Sequence, residues 1–88
     1  MIAVARRAKT FRVTADTLRA DLVEILAWSL NANHPDPAAP ETRAALRSPG
    51  LYGEVLRRHL TDRRAALAFF GDRYATLIAA IDAALETP

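Results

Sequence analysis

Four arginines, Arg57, Arg58, Arg63 and Arg64, bracket Thr61 in the run Arg-Arg-His-Leu-Thr-Asp-Arg-Arg. On a continuous helix Arg57, Thr61 and Arg64 share a face. Guanidinium groups spaced in this way, with a hydroxyl between them, can grip phosphates through bidentate contacts. The same charges can also satisfy one another. Glu54 precedes Arg58, and Arg58 precedes Asp62, each at the spacing of one helical turn, which is how ion pairs decorate a solvated face. A second basic group, Arg6, Arg7, Lys9 and Arg12, opens the chain with no acid before Asp16. It suits a nucleic-acid backbone or an acidic partner, or it serves solubility alone.

Other reactive side chains are sparse. His34, Asp36 and His59 are the only conceivable metal set, and their spacing fits no zinc signature, with Pro35 and Pro37 constraining the loop. The chain has no cysteine, which excludes disulfides, thiolate metal sites and cysteine nucleophiles. Ser29 and Ser48 have no evident base. Phosphate-loop, dinucleotide and paired-carboxylate patterns are absent. The expectation is therefore no catalysis, no metal and no cofactor.

The strongest pattern is apolar. Leu67, Phe70, Tyr74, Leu77, Ile78, Ile81 and Leu85 recur at helical spacing and predict one long stripe. Most of them also fit a heptad a/d spacing. Such a stripe needs cover from other helices or from a second copy of the chain. Leu67, Phe70, Tyr74, Leu77 and Ile81 are accordingly the expected partner-contact residues. Trp28, the lone tryptophan, joins them because aromatics off the main helix face are enriched at binding hot spots. Cover by the N-terminal segment or by the Pro-rich loop is the competing expectation for Trp28.

Thr14 with Asp16 starts a helix predicted to run to about Asn31. Leu18, Leu22, Ile25, Leu26 and Ser29 form its expected inner face, with Val23 and Leu30 on the flank. The stretch from Asn31 to Pro40 has three prolines in its last six positions and reads as an interhelical loop. Pro40 opens a short helix to about Arg47. Ser48-Pro49 reads as an N-cap and a first-turn proline. Beyond Gly50 the sequence leaves open whether residues 50–86 are one helix or two, with Gly71 marking a kink or a close contact. Helix is predicted over 15–30 and 62–86, with 31–39 irregular. Thr10 to Thr14 alternates as a short strand does. Phe11–Val13 leading into a capped helix is similar to the start of a ribbon-helix-helix repressor, but the long loop and the further helices depart from that pattern.

Eighty-eight residues suit one domain, read as a basic arm or short strand over 1–14 and a single helical domain over 15–88. So short a chain has a thin core, and oligomerisation is an expected supplement. The net charge is +2, too small to make the uneven basic clusters a strong nucleic-acid signature. Abundant alanine and eleven arginines against one lysine point to a GC-rich bacterial genome. There is no apolar run of about 18 residues to span a membrane, and the first residues do not resemble a secretory signal, so a cytoplasmic protein is expected. The fold class expected is all-α, a small bundle of three to four helices. The function expected is a non-catalytic protein-interaction module, regulatory or accessory. It would be homodimeric through the C-terminal stripe, or bound to another protein. The alternative is a nucleic-acid-binding regulator using the two arginine-rich groups.

Overall fold

The computed structural model describes residues 14–86. The basic residues Arg6, Arg7, Lys9 and Arg12 and the expected strand at Phe11–Val13 lie outside them. Within them the protein is all-α. Helix α1 spans Ala15–Asn33, α2 Pro40–Arg47, α3 Leu51–Ala68 and α4 Ala75–Leu85, with a 3-10 turn at Gly71–Tyr74 between the last two. None of these helices is long and apolar enough to cross a membrane.

Helix α1 starts where its cap dictates. The Thr14 hydroxyl accepts from the Thr17 amide at 3.1 Å, and the Thr17 hydroxyl accepts from the Thr14 amide at 2.8 Å. This is a reciprocal capping box built from two threonines. The helix continues to Asn33, so Asn31–Asn33 are helical rather than part of the loop. The prolines act only from Pro35 onward, and His34 makes the exit. It takes a left-handed conformation with φ of 44°, and its amide bonds to the Leu30 carbonyl at 2.8 Å. Asp36 then accepts from the Ala38 amide at 2.9 Å, a side-chain-closed turn, and Pro37 is buried.

Helix α2 opens at Pro40 behind an extended Ala39, where a missing amide costs nothing. Ser48 does not cap α3 as the sequence suggested. Its hydroxyl reaches back to the Ala44 carbonyl at 3.0 Å and closes α2. Gly50 precedes α3 instead, at φ of 137°, a conformation open to glycine and costly for other residues. Gly53 has a different role. A Cβ there would lie 2.7 Å from the Ala45 carbonyl oxygen and 2.8 Å from that of Ser48, so the bare glycine lets α2 lie directly on α3.

Helix α3 runs through Thr61-Asp62 without a new cap. It ends at the pair Phe69-Phe70, and Gly71 turns the chain at φ of 64° with open space around its Cα. Gly71 thus breaks the helix through its backbone freedom, not through a close contact. The helix expected over 62–86 is therefore two helices joined by an elbow.

Helix α3 is the centre of the protein, packing against α1, α2, the 3-10 turn and α4, while α2 also touches α4. The core gathers Leu30, Leu46, Val55, Leu56, Leu60, Ile81 and Ala84, drawing on all four helices. Among the described residues α1 packs against no helix except α3.

Candidate interaction surface

The elbow divides the C-terminal stripe. Ile81 has 0% of its surface exposed and belongs to the core. Leu67 and Leu77 pack half-buried against that core. Phe70 is exposed and Tyr74 half-buried; their rings meet edge to face at 5.6 Å, with Arg73 over Tyr74. Phe69, 91% exposed, stands beside them. The expected contact residues therefore do not share one helix face. Phe70 reaches the surface at the elbow, whereas Leu67, Leu77 and Ile81 lie in or against the core.

The arginine cluster is also divided. Arg64 forms a two-pronged pair with Asp82 on α4, and this partner holds its guanidinium charged more firmly than usual. Arg57 donates to the Leu85 carbonyl at 2.9 Å, satisfying a carbonyl at the end of α4. The Thr61 hydroxyl donates to the Arg57 carbonyl at 2.9 Å. Arg57 and Arg64 thus bond to α4 and help hold it against α3, while Thr61 bonds within α3. Arg58 and Arg63 make no ion pair among the described residues; they line a cleft between α1 and α3. His34 and His59 meet in that cleft with their rings stacked at 5.6 Å. No three groups from His, Asp and Glu converge on a common point among the described residues.

A further exposed apolar surface lies on α1, whose core-facing arc is rotated from the sequence expectation. Val23, Leu26, Ala27 and Leu30 face the core, so Leu26 is inward as expected, and the supposed flank residues Val23 and Leu30 join it on the inner face. Leu18, Leu22 and Ile25, the supposed inner face, are exposed, Ile25 at 62%. Trp28 is 74% exposed and stands one turn beyond Ile25, so the Pro-rich loop does not cover it. The two apolar arcs sit about a third of the way round the helix from each other. Asp21, Glu24, Ile25 and Trp28 frame a shallow concavity on the outer arc. An ion pair from Arg19 to Glu54 at 2.7 Å ties the first half of α1 to α3, and residues 14–22 are otherwise exposed throughout.

The outer arc has an internal order. Ala15, Leu18, Leu22, Ile25, Ser29 and Ala32 alternate three and four residues apart, the seam along which two helices interlock. Its larger side chains lie at the middle and its small ones toward the ends. The sequence carried this signal in full; what it lacked was the direction in which α1 faces. Compared with protein-family models, with curated proteins and with solved structures, the chain matches none of them.

Proposed function

We propose that the protein is a non-catalytic interaction module that pairs with a second copy of itself through the outer arc of α1. The observation that carries this reading is the exposure of Leu18, Leu22 and Ile25 along one heptad-spaced seam, with the exposed Trp28 beside it. Fully burying an exposed side chain of this size is worth about 1.5–3 kcal/mol, and the exposed part of Leu18, Leu22 and Ile25 contributes about half of that each. Two like helices present the same spacing to each other, so a twofold contact is self-complementary without further adjustment. Trp28 borders the seam as an aromatic anchor, and Asp21 and Glu24 form its polar rim. The aromatic elbow of Phe69 and Phe70 is left as a second surface for a different protein, which suits a regulatory or accessory subunit.

Sedimentation equilibrium tests the reading. The wild-type chain is expected at twice its monomer mass at micromolar concentration, and Ile25→Asp at monomer mass with unchanged helix content. A wild type that stays monomeric at high micromolar concentration would refute it.

A further inference from the structure

The half-open cleft between α1 and α3 offers about 550 Å³, within the range of small-ligand sites and far larger than one water. Val23 and Ala27 from α1 and Val55 and Ala66 from α3 supply apolar walls. Arg58, Asp62 and Arg63 supply the charged rim, which nets one positive charge. The stacked rings of His34 and His59 complete the lining.

His59 is the informative residue. It is only 8% exposed, and its buried Nε2 has no hydrogen-bond partner among the described residues. A buried polar atom left unpaired is costly and uncommon. The two guanidinium groups on the same rim are likewise without ion-pair partners among the described residues, whereas Arg57 and Arg64 one position outside them bond to α4. The unpaired donors of α3 thus collect on the side that faces the cleft.

We propose that this cleft binds a small organic carboxylate, with the anionic group held by Arg58 and Arg63 at the rim and the apolar body between Val23, Ala27, Val55 and Ala66, beside the stacked rings of His34 and His59. Arginine suits this role because its planar fork matches a carboxylate. The apolar walls favour an organic anion over an inorganic one, whose hydration shell gains nothing from them. Binding is coupled to protons. Burial first, then His34 and Arg63, hold the His59 pKa below its ordinary value, with Asp62 opposing them. A bound negative charge offsets the cationic push, so it raises that pKa, and binding tightens as pH falls.

Proton NMR of the two histidines, the only ones in the chain, reads the site directly. Benzoate is the probe, with benzyl alcohol as its neutral counterpart and inorganic phosphate as the anion without an apolar body. Benzoate is expected to shift both ring signals saturably, more tightly at pH 6 than at pH 7.5. Arg58→Gln and Arg63→Gln, each confirmed as folded by circular dichroism, should each weaken that binding about tenfold. The titration midpoint of His59 should rise in saturating benzoate. No saturable shift, or an equal response to benzyl alcohol or phosphate, would overturn the proposal.

Discussion

Helices α1 and α4 are both rich in apolar residues, yet they meet opposite fates. In α4 the chain doubles back at Gly71 and lays Ile81 and Ala84 against α3, where both are fully buried. In α1 the arc of Val23, Leu26, Ala27 and Leu30 packs into the core, and the arc of Leu18, Leu22 and Ile25 stays exposed. The lesson is that periodicity measures how much apolar face a helix has; the number of neighbours that topology supplies decides how much is covered. A helix touching one neighbour can bury one arc, and α1 carries two.

Several substitutions break or sharpen this contrast. The largest effect is expected at Ile81. Ile81→Ala removes a fully buried side chain and should lower stability by about 2–5 kcal/mol in denaturant unfolding. The α1 counterpart behaves differently. Ile25→Asp should weaken self-association by about 2 kcal/mol or more, while unfolding of the dilute chain changes by no more than about 0.5 kcal/mol. Equal stability losses in the two variants would erase the distinction between covered and bare arcs.

The next effect tests how the core brings its helices together. Gly53→Ala places a methyl group against two backbone carbonyl oxygens, which cannot yield as a side chain would. The gain in helix propensity, about 1 kcal/mol, opposes an overpacking cost of about 1–3 kcal/mol. A net destabilisation is expected by thermal unfolding, and a stabilised variant would show that α2 slides freely on α3.

A smaller effect follows from His59. Its pKa in the folded protein lies below the ordinary 6.5, so the unfolded chain binds the proton more readily. The contribution of the neutral ring to stability is complete above about pH 6.5 and is lost as pH falls from there toward the folded-state value. His59→Gln should flatten that stretch of the stability profile. The smallest effect is expected from Arg64→Ala. Its pair with Asp82 is near half-exposed, and such pairs contribute little, so a slight loosening of α4 in hydrogen exchange is the expected readout.

Much of the fold was legible because it depends on local chemistry. Thr14 as a cap, Pro40 at a helix start and the prolines after His34 each act within one turn of themselves. The inner arc of α1 was not legible in this way. Leu18, Leu22 and Ile25 are as apolar as Val23, Leu26 and Leu30, and only the position of α3 separates them. Ser48 was misread because a serine before a proline caps a following helix as readily as it closes a preceding one. Gly53 gave no signal, since a glycine needed for close approach looks like any other glycine within a helix. The arginine run was legible as charge but not as wiring. Arg57 and Arg64 acquire partners only when the elbow at Gly71 returns Asp82 and Leu85 to α3.

The single tryptophan of the chain gives the most direct test of the central claim, that a second copy covers the bare arc of α1. Trp28 emission should be followed from high micromolar to nanomolar concentration alongside far-ultraviolet circular dichroism. The account predicts a shift toward longer wavelength on dilution, with helix content unchanged over the same range. Emission that is water-like and constant at every concentration would contradict it.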